Sequence, residues 1–387
     1  MGRGLPENSL AALRESMTQA DGIEFDLRMT LDGHLVLHHD RTPMIPKDEK
    51  QGRPRYVEAW TLDELREFGA ETFDDLLADS VIAGAWREQA KVGVIEIKRP
   101  HPRHIGRGWW NDDQRDLDHM SALTQKVAVA LDEAAIPVQN TVLYAFHPRM
   151  PELVRRAAWS RPWSRLTPNL PPYASGAVQR AIAAPSFVRN SFARLVRKHR
   201  AAGSPMMPCA LDYVQGMRRH LPLGRSVGLT GGALHRLKST LEGFPVYVWP
   251  APYRMEAALI DAGLSTVSDS VADPRVRHVD GRLRWKRMAT APLDDGMPYV
   301  ESDDEAARLL KRLDAEVAPW HELGAEDHRR HLKAWRKRWG WRRDLDELMA
   351  DVGEAGSTMP WEAVRMVGHR GAGKTPRPVL QRVASQT

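Results

Sequence analysis

Up to about residue 275, short apolar runs alternate with longer stretches of mixed polarity. The apolar runs are rich in β-branched residues and are bounded by Gly, Pro or Asp, which is typical of buried strands, and the stretches between them are predicted to be helices. The predicted strands are Gly22–Met29, His34–His39, Val92–Lys98, Thr141–Phe146, Met207–Tyr213, Pro245–Trp249 and Leu264–Ser268. The predicted helices are Ser9–Gln19, Leu62–Phe68, Ser121–Ala135, Pro151–Ala158 and Arg254–Ala262.

This alternation predicts the fold class. Strands that alternate with helices form a parallel sheet covered by helices. Seven or more such units favour an α/β fold of the closed (β/α)8 TIM-barrel type over an open sheet. Such a barrel takes about 250 residues, which leaves roughly 100 residues of this chain outside it.

Beyond about residue 276 the pattern changes, and Trp, Arg and Lys become dense. Two helices are predicted there, Glu301–Val317 and Glu326–Trp339, followed by a short β-like run, Ala363–Val367. We therefore predict a barrel over residues 1–275 and a helical extension over residues 276–363. Residues 376–387 are predicted to be a frayed tail.

Composition narrows the class of protein. Hydrophobic residues make up 42% of the 387 residues, which is ordinary for a globular protein. The single cysteine, Cys209, excludes an intrachain disulfide and any Cys-rich zinc or iron–sulfur site. The sequence has no apolar run of about 18 residues that could span a membrane, and Met1–Leu10 has no apolar signal segment. A cytoplasmic location fits best.

Carboxylates in two predicted strands suggest a cation site. Glu24 and Asp26 lie two residues apart, so their side chains project from the same face of the strand. Glu96 and Lys98 repeat the arrangement with one acid and one base. Buried carboxylates repel each other unless a cation lies between them, and oxygen ligands favour Mg²⁺ or Ca²⁺. The alternative is a structural Glu96–Lys98 pair beside solvated acids at a strand edge.

Two further motifs carry candidate chemistry. His38, His39 and Asp40 end a predicted strand, where a histidine is well placed for acid–base work, although a single histidine is more often structural. Gly368–Thr375 matches the P-loop pattern in full. A P-loop needs a helix directly after its Lys-Thr pair, whereas Pro376 and Pro378 follow here. Nucleotide binding is therefore disfavoured.

In the order of its motifs the chain resembles the glycerophosphodiester phosphodiesterase family, whose members fold as TIM barrels. The resemblance covers about residues 2–275 and depends on several ordered motifs rather than on one. The matching segments are Pro6-Glu7-Asn8-Ser9, Ile23-Glu24-Phe25-Asp26, Thr30-Leu31-Asp32-Gly33, Leu37-His38-His39-Asp40, Ile95-Glu96-Ile97-Lys98, Val246-Tyr247-Val248-Trp249 and Gly263-Leu264 through Asp269.

The resemblance implies roles for particular residues. Glu24, Asp26 and Glu96 match the family's metal-binding carboxylates, and the metal would be a divalent cation, Mg²⁺ or Ca²⁺. His39 matches one of two catalytic histidines. Lys98 matches a basic residue near the phosphate, and Trp249 matches an aromatic residue of the substrate pocket.

The family's first strand ends in His-Arg-Gly before the Pro-Glu-Asn segment, and here that motif occurs at the other end, as His369-Arg370-Gly371. The chain therefore resembles a circularly permuted member, with residues 364–375 as the displaced first strand, His369 as the second catalytic histidine and Arg370 at the phosphate. A closed barrel allows this, since its last strand neighbours its first. The alternatives are a truncated second domain and a strand that completes a neighbouring subunit's barrel.

The activity that the resemblance implies is metal-dependent hydrolysis of a glycerophosphodiester to glycerol 3-phosphate and an alcohol. Two histidines would serve as general acid and base, and the nucleophile would be water or the substrate's own hydroxyl. One alternative is a sphingomyelinase D-like phosphodiesterase that acts on intact lipid. Another is an inactive barrel that serves as a binding module.

The segment His328–Arg343 is a candidate partner surface. It holds eight Lys or Arg, no acid and three Trp, and accounts for most of the net charge of +6. On a helix, Leu332, Trp335 and Trp339 form one stripe. The stripe packs on the barrel, or the segment docks on an anionic membrane surface. Nucleic-acid binding is the third possibility and the least favoured.

Overall fold

The computed structural model describes most of the chain. The described residues are 5–43, 45, 52, 56–106, 113–167, 190–215, 226–277, 279, 287–290, 319–353 and 358–373. The predicted helix Glu301–Val317, the tail 376–387 and the last two residues of the P-loop pattern, Lys374 and Thr375, lie outside them.

Within the described parts of the chain, nine strands form one sheet. Eight of them run parallel in the order β5-β4-β3-β1-β9-β8-β7-β6, and β2 pairs with β1 in antiparallel orientation. The strands are β1 Gly22–Met29, β2 Leu35–Leu37, β3 Val92–Ile97, β4 Thr141–Ala145, β5 Trp163–Arg165, β6 Met207–Ala210, β7 Val246–Ala251, β8 Ser265–Ser268 and β9 Met366–Gly368.

The parallel strands form a nearly closed barrel, which confirms the predicted fold class. The two ends of the strand order, β5 and β6, meet at a seam where side chains take the place of ladder hydrogen bonds. Ser164 Oγ of β5 donates to the Met206 carbonyl at 2.7 Å, and Ser204 Oγ donates to the Trp163 carbonyl at 3.2 Å. Apolar side chains fill the barrel interior. They include Val92, Val94, Val142, Tyr144, Tyr247, Val267 and Val367.

Helices surround the barrel, and several begin with a side-chain cap. Ser9 caps the first helix, and Thr61, Thr72 and Asp344 each form a capping box. The helices are α1 Leu10–Gln19, α2 Leu62–Arg66, α3 Phe73–Ala78, α4 Ser80–Glu88, α5 Asp113–Glu133, α6 Met150–Arg156, α7 Phe192–Ala201, α8 Leu211–Gln215, α9 Gly231–Leu241, α10 Tyr253–Asp261, α11 Ala325–Trp339 and α12 Leu345–Val352. None of the helices in the described parts of the chain is long and apolar enough to cross a membrane.

Two strand predictions need correction. The predicted strand His34–His39 is shorter, at Leu35–Leu37, and forms a hairpin with β1 instead of joining the eight parallel strands. Met207–Tyr213 ends as a strand at Ala210, because helix α8 begins at Leu211. The place of His34–His39 among the eight parallel strands is taken by β5, a three-residue strand too short to show a period of two.

The carboxyl-terminal strand β9 completes the barrel of its own chain between β1 and β8. Ile23 of β1 pairs with Gly368, and Ser268 of β8 also pairs with Gly368. The buried carboxylate of Asp21, just before β1, accepts hydrogen bonds at 2.8–3.0 Å from Ala289, Thr290 and Met366. Asp21 thus ties both the connecting segment and β9 to the start of β1.

Helix α11 packs its apolar stripe inward. Leu332 and Trp335 are buried, Trp335 stacks on Trp320 with ring centroids 5.2 Å apart, and Trp339 is partly buried. Several of its cations are exposed and paired, as in Arg329–Asp346 at 3.0 Å. The packing of the stripe agrees with the first of the three interpretations of this segment, while membrane and nucleic-acid contact stay predictions.

Candidate active site

Three buried carboxylates meet at one end of the barrel. Glu24 and Asp26 alternate with apolar residues on β1, so that both project into the barrel, and Asp26 pairs in register with Glu96 of β3. Each of the three offers one oxygen within 4.8 Å of the other two. They are 1%, 0% and 8% exposed, so Glu24 and Asp26 are not the solvated edge residues of the alternative interpretation.

Burial and mutual repulsion govern the protonation of this cluster. Burial, together with the charge of Asp26, raises the pKa of Glu24 to about 7, and burial also raises the pKa of Glu96. Burial acts against ionisation of Asp26 too, but Lys98, His39 and Arg370 lower its pKa overall. Three hard oxygen donors that repel one another fit a divalent cation such as Mg²⁺ or Ca²⁺.

Lys98 follows β3 and contacts two members of the cluster. Its Nζ lies 2.8 Å from Asp26 Oδ1 and forms an ion pair with Glu96. The structural pair of the alternative interpretation is therefore present, but it lies inside the cluster and not apart from it. A buried ammonium beside two carboxylates stabilises their charged forms.

His369 and Arg370 reach the cluster from the end of β9. His369 Nε2 lies 3.9 Å from Glu24 Oε2, and its Nδ1 lies 2.5 Å from Asp269 Oδ1. Burial opposes protonation of His369, but Asp269 and Glu24 raise its pKa overall. The Arg370 backbone N–H donates to Glu24 Oε2 at 2.9 Å, and its Nη1 donates to Glu7 at 2.8 Å.

His39 lies in the turn after β2. The neighbouring His38 backbone N–H donates to the carbonyl of Asp26 at 3.0 Å, which holds the turn against β1. His39 Nδ1 lies 2.8 Å from Asp40, and its side chain is 28% exposed. Burial, with the charges of Lys98 and Arg370, lowers its pKa to about 3, although Asp26 acts in the opposite direction. Two histidines with pKa values shifted in opposite directions thus face one cluster.

Trp249 of β7 lines the same end of the barrel. Its ring meets Phe146 edge-on, with centroids 6.3 Å apart. The indole Nε1 is buried and has no hydrogen-bond partner among the residues that the structure describes. A buried indole donor without a partner is suited to a bound molecule.

Sequence reasoning assigned no role to two residues that orient the site, Asn8 and Asp269. The Asn8 amide donates to Asp26 Oδ2 at 2.9 Å and accepts from the Asp26 backbone N–H at 3.0 Å. Asp269 fixes the ring of His369 through Nδ1. Both lie in segments that carry the family resemblance of the sequence, but their contacts depend on the tertiary fold.

Taken together, these features define a TIM barrel with a buried carboxylate cluster, suited to a divalent cation, and two histidines beside it. Residues 1–158 match the sequence model of the glycerophosphoryl diester phosphodiesterase family. Over this part of its length, 158 of 387 residues, the chain is similar to that family of phosphodiesterases.

The chain is also similar to individual proteins, in each case over part of its length. A segment of 69 residues is 39% identical to a glycerophosphodiester phosphodiesterase of Caldanaerobacter subterraneus subsp. tengcongensis, covering 18% of this chain and only 27% of that protein. A probable glycerophosphodiester phosphodiesterase 1 of Mycobacterium tuberculosis is 27% identical over 238 residues, which cover 57% of this chain and 75% of that protein. The crystal structure of a glycerophosphodiester phosphodiesterase from Thermotoga maritima has 16% identity and a TM-score of 0.40, covering 68% of this chain and 89% of that one.

Proposed function

We propose that this protein hydrolyses glycerophosphodiesters to glycerol 3-phosphate and an alcohol. The observation that carries the proposal is the meeting of Glu24, Asp26 and Glu96 with His369 at one end of the barrel. Net hydrolysis adds water across one P–O bond, so a proton must leave the nucleophile and another must reach the departing alcohol oxygen. The site offers groups for both tasks.

Glu24, Asp26 and Glu96 would hold the divalent cation, Mg²⁺ or Ca²⁺. When bound, such an ion supplies positive charge for the phosphate oxygens, on which negative charge accumulates during attack. Arg370 and Lys98 add fixed positive charge beside the same cluster. Trp249 is proposed to pack against the substrate at the rim.

His369 and His39 are proposed to act as the general acid and base. His369 is held by Asp269 through Nδ1, which leaves Nε2 directed at the cluster. His39 is held by Asp40 in the same way. A histidine oriented through one ring nitrogen can transfer a proton at the other. One of the two would protonate the leaving alcohol, and the other would take the proton of the nucleophile.

We also propose that residues 364–375 serve as the family's first strand in a permuted order. The support is the position of β9 between β1 and β8, with His369-Arg370-Gly371 directly after it. The extension over residues 276–363 would then be the covalent bridge from β8 back to β9.

The proposed activity is tested with His369→Ala. We expect it to lower the rate of glycerol 3-phosphate release from a glycerophosphodiester by about 10²- to 10⁴-fold, the usual contribution of a general acid or base. The control is His235→Ala, an exposed histidine on α9, which should keep the wild-type rate.

The same assay with other substrates distinguishes the proposed activity from a lipid phosphodiesterase and from an inactive barrel. Release of headgroup from intact sphingomyelin or lysophospholipid, without turnover of the glycerophosphodiester, would favour the lipid phosphodiesterase. No turnover of either substrate with Mg²⁺ or Ca²⁺ present would favour the inactive barrel.

A further inference from the structure

Arg28 is a buried charge that the proposed chemistry does not use. It lies two residues beyond Asp26 on β1, on the same face of the strand, and its side chain is 3% exposed. Its partner Glu58 lies in the short 3₁₀ helix Val57–Ala59 and is 1% exposed. Nη1 of Arg28 donates to Glu58 Oε1 at 3.0 Å. Burying such a pair costs desolvation free energy, which the other hydrogen bonds of the two side chains must offset.

The guanidinium of Arg28 joins two segments of the site. Nε and Nη2 donate to the carbonyl of His39 at 3.3 and 3.1 Å, and Nη1 donates to the carbonyl of Arg99 at 3.0 Å. Arg99 directly follows Lys98. One planar group therefore connects the turn that carries His39 with the segment that carries Lys98, both beside Asp26.

The position of His39 depends on its backbone. Its ring is 28% exposed and is held by the adjacent Asp40, and within the described parts of the chain no distant side chain forms a hydrogen bond with the ring. Its turn is instead fixed on one side by the His38–Asp26 backbone hydrogen bond and on the other by Arg28. The rigid fork of an arginine can meet carbonyls and a carboxylate at once, whereas a lysine ammonium cannot reproduce that geometry.

We infer that Arg28, locked by Glu58, is a positioning residue that sets the place of His39 relative to the carboxylate cluster. Its effect on turnover rests on the proposed function, but its effect on the His39 turn does not. A displacement of about 1 Å at a reacting group can cost about 10²-fold in rate. The pair should therefore affect kcat through His39 without contacting substrate.

The test compares Arg28→Lys with Arg161→Lys. Arg161 is also 3% exposed and also binds a carbonyl and a carboxylate, those of Ile136 and Asp132, but it lies before β5 at the other end of the barrel. We expect amide hydrogen exchange in residues 38–43 to quicken by about tenfold in Arg28→Lys and to stay unchanged in Arg161→Lys. We also expect kcat to fall by about 10- to 100-fold with KM within about threefold.

Glu58→Gln serves if Arg28→Lys does not fold, because it keeps the hydrogen bond and removes the charge. We expect the same pattern in this variant with a smaller amplitude.

Each outcome decides one question. Unchanged exchange in residues 38–43 would overturn the inference whatever the activity. Faster exchange with the same kcat as Arg161→Lys would show that the turn is held but that its place does not matter for turnover, which overturns the positioning role. Faster exchange in Arg28→Lys, together with a wild type that does not turn over glycerophosphodiesters, would support the anchoring of the His39 turn and contradict the proposed function.

Discussion

Two consecutive left-handed residues shape the end of β9. Arg370 has φ of 51° and Gly371 has φ of 85°, so the chain turns sharply directly after His369. The turn brings the N–H of Arg370 to the side chain of Glu24 and the N–H of Gly371 to its carbonyl, at 2.9 and 3.3 Å. Only Gly adopts such a conformation at little cost, which gives the glycine of His-Arg-Gly a physical role.

Gly371→Ala should destabilise the protein. A Cβ on Gly371 would lie 2.6 Å from the backbone carbon of Ala12, in addition to the unfavourable φ. We expect the free energy of unfolding, measured in urea, to fall by about 2 kcal/mol or more. Gly84→Ala in α4 is the control, because a Cβ there would meet no atom within 4 Å apart from the neighbouring residues and the backbone of its own helix, and it should raise stability by about 0.5–1 kcal/mol. Equal effects of the two substitutions would contradict this account.

Glu96→Gln tests the cation site directly. Removing one charged oxygen ligand should weaken binding of Ca²⁺ or Mg²⁺ by at least about tenfold. Isothermal titration calorimetry with each metal alone measures this without any turnover. Glu152→Gln, on the surface of α6, should bind the ion as the wild type does. The same affinity in both variants would remove Glu96 from the ligand set.

At the scale of elements, the packing of α11 decides whether its stripe of Trp residues is buried in the fold or exposed. Its Trp stripe is buried, and it meets the barrel at Gly243 and Gly263, where a Cβ would contact Gly340 and Trp339. These glycines precede β7 and β8, so α11 lies at the end of the barrel opposite the carboxylate cluster. The Trp residues therefore pack within the fold, and any contact of this segment with a membrane would fall to its exposed cations.

Membrane contact through residues 328–343 would then depend on charge alone. We expect the protein to co-sediment with anionic vesicles at low salt only, without a blue shift of tryptophan emission and without binding to neutral vesicles. A double substitution of the exposed Lys333→Glu and Lys337→Glu should abolish the association. Binding to neutral vesicles, or a blue shift, would show that the stripe leaves its packed position.

At the scale of the whole molecule, closure of the barrel depends on residues far apart in the chain. Asp21 is fully buried and receives four hydrogen bonds, from Ala289 N, Thr290 N, Thr290 Oγ1 and Met366 N. It thereby fastens the segment after β8, and β9 itself, to the start of β1. At this point one carboxylate accepts from two distant segments, in addition to the pairing of β9 with β1 and β8.

Asp21→Asn should loosen this closure. The amide keeps the shape but loses the charge and one acceptor, which leaves buried N–H groups without a partner. We expect the free energy of unfolding to fall by about 2–4 kcal/mol and hydrogen exchange at residues 366–368 to quicken. Asp346→Asn, whose side chain is 85% exposed, is the control and should change stability little. No change in exchange at β9 would show that other contacts close the barrel.

Much of the barrel could be predicted from the sequence. Strand β1 was predicted with its observed bounds, because apolar residues alternate with charged ones at a period of two along the strand between Asp21 and Thr30. Helices α3, α4, α7, α8, α9 and α12 were not predicted, and neither was β5. The shortest of these, such as α3 and β5, carry too few residues to show a period, and their formation depends on the surface they pack against.

The sequence by itself determined the fold class, the projection of Glu24 and Asp26 from one face of a strand, and the order of motifs that carries the family resemblance. These features depend on local periodicity and residue order. Only the tertiary structure decided which distant residues meet. His369 lies 3.9 Å from Glu24 although 345 positions separate them, and Arg28 reaches the turn of His39. Such contacts depend on strand order and barrel closure, which no local pattern encodes.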